Sequence, residues 1–336
     1  MTNINIKYLA EQLKMAPSTV SRALNDSYEI SEATKAKVLA LAKELNYQPN
    51  PYARSLREHK SNTVAVIIPE RINNFFSQVI DGIEDITQEY GYHLLVYNSH
   101  EDVEKERRII SYLLNGRVDA IVMSVSSQTS TTDHLEMFHS KGLPIIFFDR
   151  ICQEISTTQF ITNDYESGFN GTKHLIERGC KKISFLLLSK EISIGKERLK
   201  GYLDAVKAAG LPFEDNWIIQ CTHDEAINQR ILLDLLQDPN RPDGMLASVE
   251  KLAIATYHAV KKTSLNIPKD LKVLSFSNMK IADLLNPPLT TISQPAYQIG
   301  NACAKLLMNK LTKKLKTELQ NEVIVIPSQI NVRSST

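Results

Sequence analysis

Cysteine is scarce in this chain: four residues in 336, Cys152, Cys180, Cys221 and Cys303, lie far apart and never at a CxxC spacing. That excludes a disulfide framework and predicts structural thiols in a reducing compartment. No run of about 18 apolar residues is present to span a bilayer, so no membrane partner is expected. The N-terminus lacks the charged-then-apolar pattern of a secretory leader, and the expected location is the cytoplasm. Catalytic signatures are missing too. There is no GxGxxG after the first core strand, no GxxxxGK[ST], no GxSxG and no HExxH, and Gly195-Lys196 is followed by Glu197 where a phosphate loop needs a hydroxyl. The eight histidines are scattered, and none pairs with cysteine or carboxylate at metal-ligand spacing. No catalytic residue, metal or cofactor is therefore expected.

What is present begins with an uneven charge. The net charge is only +1, but residues 1–60 hold nine Lys plus Arg against six Asp plus Glu, and the remainder holds thirty against thirty-two. The positive surplus sits at the N-terminal end, where a nucleic-acid partner would be sought. At about 100 to 200 residues per domain, the length suggests two or three domains.

The N-terminal segment reads as three short helices. Residues 6–13 are amphipathic; after Lys14-Met15-Ala16 a second helix starts at Pro17, a favoured first helical position. A third follows Ser31 as N-cap and places Val38, Leu41, Ala42 and Leu45 on one face. Two short helices joined by a tight turn match a helix-turn-helix, whose second helix enters the major groove N-terminus first. In Pro17-Ser18-Thr19-Val20-Ser21-Arg22, Val20 and Leu24 point inward, leaving Pro17, Ser18, Ser21 and Arg22 free to face a groove. Arg22 is the best reader of guanine. A small polar helix in some other three-helix domain would show the same spacing.

Beyond Tyr47-Gln48-Pro49-Asn50-Pro51, whose prolines stop the third helix, the pattern changes. Apolar strands at 63–69, 93–97, 119–124, 144–149, 182–188, 244–247 and 272–276 alternate with helices, which predicts parallel sheets covered by helices. Two similar α/β lobes fit better than one wide sheet, with a seam near 160–163 and recrossings near strands at 289–293 and 323–326. A ligand then belongs in the crevice at the carboxyl ends of the strands.

Leu9-Ala10, Pro17-Ser18-Thr19-Val20-Ser21-Arg22-Ala23-Leu24-Asn25, Leu45-Asn46-Tyr47-Gln48-Pro49-Asn50 and Ala53-Arg54-Ser55-Leu56 together resemble the lactose-repressor (LacI/GalR) family. The likeness runs on through Phe148-Asp149-Arg150, Arg198 to Gly201-Tyr202, and Pro288-Leu289-Thr290-Thr291-Ile292, covering essentially the whole chain. It implies an α/β protein with a three-helix helix-turn-helix headpiece (1–48), a hinge linker (49–60), and a periplasmic-binding-protein-like core (61–336) of two doubly wound parallel-sheet lobes. The first lobe would span 61–160 and 293–320, the second 161–292 and 321–336. The implied function is that of a DNA-binding repressor working as a homodimer on a palindromic operator in double-stranded DNA. Its operator affinity would be set by a small-molecule effector, expected to be a carbohydrate, held between the lobes.

The resemblance also assigns residues. Thr19, Asn25, Ser31 and Thr34 become phosphate contacts, each equally readable as a local cap, and Asn50 and Ala53 lie in the DNA-contacting hinge. Leu56 becomes a wedge in the central base step, although packing on the adjacent lobe is an alternative. Ala16 departs from the serine that often caps the reading helix, a loss of about 1 kcal/mol. In the core, the implied effector positions are Phe75, Asp149, Arg198, Val249 with Glu250, and Ser277 with Asn278. Arg198 offers forked donors, or else a surface ion pair with Glu197 or Asp204. Asp149 either accepts from ligand hydroxyls or bonds the lobe hinge, and Phe75 either stacks on a ring or joins the core. Val249 and Ser277 stand where the family commonly has polar or charged grips, which puts a standard sugar subsite in doubt. A transport-type binding protein and a nucleotide-using α/β enzyme are the competing readings; the headpiece opposes the first and the missing phosphate loops the second.

Overall fold

The computed structural model describes residues 4–47, 60–129, 131–152, 154–189, 192–312 and 319–336. The expected hinge positions Asn50, Ala53 and Leu56 lie outside the described residues. The chain divides into two compact units, Met1–Ser61 and Asn62–Thr336.

The first unit holds α1 (Ile6–Gln12), α2 (Pro17–Leu24) and α3 (Glu32–Glu44). Asn5 caps α1, its Oδ1 accepting from the backbone N–H of Lys7 and Tyr8 at 3.0 and 3.1 Å. Ser31 Oγ accepts from the Thr34 N–H at the start of α3. At α2 the N-cap is Ala16, which supplies no side-chain bond, and Pro17 alone marks the helix start. The three helices bury Leu9, Ala10, Val20, Ala23, Val38 and Ala42 in one small core, with Leu24 and Leu45 packed against it. This is the three-helix arrangement that the periodicity predicts.

The second unit contains two six-stranded sheets of matching layout. One has the order β11-β5-β4-β3-β1-β2, built from β1 (Thr63–Ile68), β2 (His93–Asn98), β3 (Ala120–Met123), β4 (Ile145–Phe148), β5 (Gln159–Ile161) and β11 (Val323–Val325). The other runs β12-β10-β9-β8-β6-β7, from β6 (Ile183–Leu187), β7 (Ile218–Gln220), β8 (Gly244–Ala247), β9 (Lys272–Phe276), β10 (Thr290–Ser293) and β12 (Gln329–Asn331). Among the described residues every pairing is parallel except β10 with β12. Fully buried runs such as Val64 to Ile68 are what a parallel sheet covered on both faces requires.

The helices are α4 (Asn74–Glu89), α5 (Val103–Leu113) and α6 (Asp133–Ser140) in the first lobe, and α7 (Asp164–Glu177), α8 (Ser193–Ala208), α9 (Glu225–Gln237) and α10 (Glu250–Val260) in the second. The long α11 (Ala296–Leu311) returns to the first lobe and lies on α4. Their backbones nearly touch: a Cβ on Gly82 would sit 2.2 Å from the Tyr297 carbonyl oxygen, and one on Gly300 would sit 2.0 Å from that of Val79.

Three expected lobe boundaries change, the middle one because Ser293 ends β10 and pairs with Gln329 in the second lobe's sheet, so that crossing falls after 293. Val323–Val325 pairs in parallel with β5 (Val323 against Gln159), so the last crossing falls after residue 325 and not at 320/321. Phe160 and Ile161 close the same sheet, which moves the first crossing past 160. The reason is edge pairing: the exposed strand β11 satisfies the outer backbone groups of β5, with Ile326 N–H donating to the Ile161 carbonyl at 2.9 Å. The four cysteines are buried and free, and burial pushes the thiols of Cys152, Cys180 and Cys221 up to about 12. Among the described residues, no helix is long and apolar enough to cross a membrane.

Candidate functional site

On α2, Pro17, Ser18 and Arg22 are exposed, Thr19 and Ser21 are half-buried, and Val20 is inside. The helix thus presents the expected polar face. Arg22 Nη1 meets Glu29 Oε2 at 2.9 Å, with both side chains well exposed, at 60% and 45%. Asn25 Nδ2 donates to the Ser21 carbonyl at 2.8 Å, and Ser31 Oγ lies 2.9 Å from Thr34 Oγ1. Both pairs finish helix ends, the local role that the sequence left open beside phosphate contact.

In the second unit the strand ends converge on a cleft between the lobes. Asp149 follows β4 with φ +61°, an uncommon left-handed conformation for a non-glycine residue, and it is buried. Burial raises its carboxyl from 3.8 to about 6 against the pull of Arg150 and Arg198; nearby Asp164 adds to the rise and a bond from Gln294 opposes it. Arg150 Nη1 clasps Glu101 at 2.7 and 2.8 Å. Burial alone would raise the Glu101 carboxyl, but Arg150 and bonds from Ser127 outweigh it and hold the group below the usual range. Behind this wall, fully buried Glu106 accepts from Ser126 N–H, Thr129 Oγ1 and His134 Nε2 at 2.8, 2.9 and 2.8 Å. It thereby fixes the loop that follows β3. Phe75 packs edge-on against Phe76, ring centroids 5.4 Å apart, within the first lobe's core.

Across the cleft, Arg198 is almost fully buried on α8. Its Nε donates to Asp164 Oδ1 at 2.6 Å, its Nη1 donates to the Ser248 carbonyl at 2.7 Å, and its guanidinium stacks 3.9 Å over Phe276. Nη2 is buried with no partner among the described residues. Neither Glu197 nor Asp204 takes this charge; Asp204 instead accepts from the Tyr165 hydroxyl at 3.0 Å. The position depends on close helix packing, since a Cβ on Gly168 of α7 would lie 2.4 Å from the carbonyl oxygen of Arg198 itself.

The lobes meet through polar side chains. Asn74 Nδ2 donates to Glu250 Oε1 at 2.8 Å, and Ser277 Oγ holds Glu250 Oε2 at 3.0 Å. Gln78 Nε2 donates to the Asn278 carbonyl at 3.0 Å, while Asn278 Nδ2 donates back to Gln78 Oε1 at 3.1 Å. Lys251 Nζ reaches Glu70 Oε1 at 3.2 Å. Val249 gives α10 no side-chain cap, in line with its apolar character.

Asp149, Arg198, Glu250, Ser277 and Asn278 therefore share one cleft, and Phe75 belongs to the wall behind it. Sequence reasoning missed Asn74, Gln78, Asp164, Ser248 and Gln294. Of these, Asn74 and Asp164 each open a helix at a strand's carboxyl end, a signal that could have found them.

Comparison with known proteins agrees with this architecture. Residues 5–50 match the family of bacterial regulatory proteins described as lacI, and residues 61–333 match the periplasmic binding proteins and sugar binding domain of LacI family. Catabolite control protein A of Priestia megaterium is 30% identical over 338 residues, covering 99% of both chains. The HTH-type transcriptional repressor PurR of Photobacterium profundum is 31% identical over 315 residues, covering 92% of each. Among solved structures, a lac repressor dimer bound to operator and the anti-inducer ONPF superposes with a TM-score of 0.84 at 20% identity, covering 99% of this chain and 98% of that one. A transcriptional regulator CelR in complex with cellobiose gives 0.73 at 23% identity, covering 99% and 100%.

Proposed function

The chain belongs to the lacI family of bacterial regulatory proteins, and from that premise we propose that it is a sequence-specific repressor that binds a palindromic operator as a homodimer under control of a small carbohydrate. The observation that carries this reading is the pairing of an exposed polar reading helix with a separate two-lobed unit whose cleft gathers Asp149, Arg198, Glu250, Ser277 and Asn278.

On the DNA side, Pro17, Ser18, Ser21 and Arg22 face the base edges, and Thr19, Asn25, Ser31 and Thr34 fix register on phosphates. Asn50, Ala53 and Leu56 provide the hinge contacts. Dimerisation has apolar material to use: Leu95 and Val96 on edge strand β2 are exposed, as are Ile281 and Leu284 in the second lobe.

On the effector side, Arg198 Nη2 is a buried donor that a ligand oxygen would satisfy, and the Asp149 and Glu250 carboxylates accept from hydroxyls. Relatives of the same fold are described with cellobiose and with bound ribose, which supports a carbohydrate. Such a ligand competes with Asn74 for Glu250 and with Gln78 for Asn278. Its differential affinity for open and closed lobes therefore shifts operator affinity.

Selection from random duplexes with the full-length protein at moderate salt tests the DNA reading; failure to enrich any palindrome would overturn it. Thermal unfolding against mono- and disaccharides tests the effector, because a ligand at a hundredfold its Kd stabilises by about 2.7 kcal/mol. A panel of sugars without effect would remove the carbohydrate and leave the DNA reading standing.

A further inference from the structure

A second cavity lies outside the cleft, where the carboxyl ends of β1 and β2 meet the start of α5. It measures ≈ 360 Å³ and is lined by Ile68, Arg71, Val96, Tyr97, Asn98, His100, Lys105 and Ile109. That size lies within the range of small-molecule sites, about 300 to 1,000 Å³. Among the described residues its lining contains no carboxylate. The Arg71 guanidinium and the Lys105 ammonium have no acidic partner among the described residues, unlike Arg150 and Arg198 in the cleft, which are both paired. His100 joins them from a turn at φ +56°, held there by its backbone N–H donating to Asn98 Oδ1 at 2.8 Å. Two unneutralised cations, an imidazole, an amide and a phenol thus border one pocket over an apolar floor of Ile68, Val96 and Ile109.

We propose that this pocket is a second binding site, for a small multiply charged anion of the phosphate or polycarboxylate class. Arg71 supplies a forked pair of donors and Lys105 a point charge, with Asn98 and His100 completing the contacts. A neutral sugar would leave both cations unmatched in the pocket, so the site selects charge where the cleft selects hydroxyls. The pocket also abuts Val96, on the strand edge proposed for dimerisation. Bound anion there would screen the repulsion among the cations beside that edge and strengthen subunit association.

The test is calorimetric titration of the full-length protein with pyrophosphate and with citrate, in a phosphate-free buffer at about 0.1 M salt. Glucose serves as the neutral control. Saturable binding is expected for the anions, with Arg71→Ala and Lys105→Ala each raising Kd about tenfold and Arg71→Glu abolishing binding. Both side chains lack ion-pair partners among the described residues, so these variants should fold; circular dichroism and sedimentation would check each. Binding that survives Arg71→Glu would place the anion elsewhere and overturn the proposal. So would an absence of saturation in the wild type. Dissociation of the variants into monomers without anion binding by the wild type would overturn it too, showing that a partner's acidic side chain fills the pocket.

Discussion

Glu250 on the second lobe accepts at Oε1 from Asn74 of the first lobe at 2.8 Å, across 176 residues of sequence. The same carboxylate is held from behind by Ser277 Oγ at 3.0 Å. One side chain therefore links the two lobes and also occupies a position that the family resemblance gives to the effector. On the proposed reading, ligand recognition and lobe closure cannot be altered separately at this residue.

Replacing Glu250 with alanine should open the lobes. It leaves Asn74 and Ser277 without their acceptor, and losing hydrogen bonds to a charged group costs about 1.5 to 3 kcal/mol. Small-angle scattering should show a larger radius of gyration for the core, and urea unfolding a lower midpoint. An unchanged radius would mean that Gln78–Asn278 and Lys251–Glu70 suffice to keep the lobes together.

Asp149 makes stability depend on pH. Its folded value, about 6, exceeds its ordinary 3.8, so the folded state holds this proton more tightly than the unfolded chain does. The associated stabilisation is full below pH 3.8 and is lost as pH rises through 6. At about 1.36 kcal/mol per unit, the wild type should lose roughly 2 kcal/mol relative to Asp149→Asn between about pH 4 and pH 7. Urea unfolding of both proteins across that window measures it, and a constant difference would contradict the buried, proton-binding carboxyl.

Gly168→Ala pits two effects against each other. Alanine is favoured over glycine in a helix interior by about 1 kcal/mol. The added Cβ would lie 2.4 Å from the Arg198 carbonyl oxygen, a backbone atom that can yield only if α7 and α8 separate. Overpacking of this kind costs about 1 to 3 kcal/mol, so net destabilisation is expected in thermal melts. Because the clash falls on Arg198 itself, any ligand held by its Nη2 should bind more weakly. A stabilised variant with unchanged ligand affinity would show that the helix pair is looser than its geometry indicates.

The parts legible from sequence were those with local patterns. The headpiece helices announce themselves by period, cap and proline, and the longer strands by apolar runs such as Thr63–Ile68. Strands β5, β7 and β12 are three residues each, too short for alternation to register, and they exist because a neighbouring strand supplies their hydrogen bonds. For the same reason β11 was read into the wrong lobe: nothing within Val323–Val325 says that its partner is Gln159–Ile161. The resemblance singles out Arg198 but not its partner Asp164, 34 residues earlier, because an ion pair between helices leaves no local trace. The Asn74–Glu250 link is the extreme case, formed only once both lobes are built.

Arg22→Ala separates stability from recognition. Its one ion pair among the described residues, with Glu29, is exposed on both sides, and pairs of that kind contribute about 0 to 1 kcal/mol, so the melting point should barely move. If Arg22 reads a guanine, the variant should lose about 1 to 3 kcal/mol of discrimination at one operator position and little elsewhere. The Glu29 pairing sharpens the test, since the guanidinium must leave or share that carboxylate to reach a base edge. Glu29→Gln should then strengthen operator binding slightly, by freeing Arg22 and by removing a negative charge near the phosphates. Competition binding against duplexes varied one base pair at a time would report both effects. Uniform weakening by Arg22→Ala across all duplexes would make this residue a phosphate contact and move base reading to Pro17, Ser18 and Ser21.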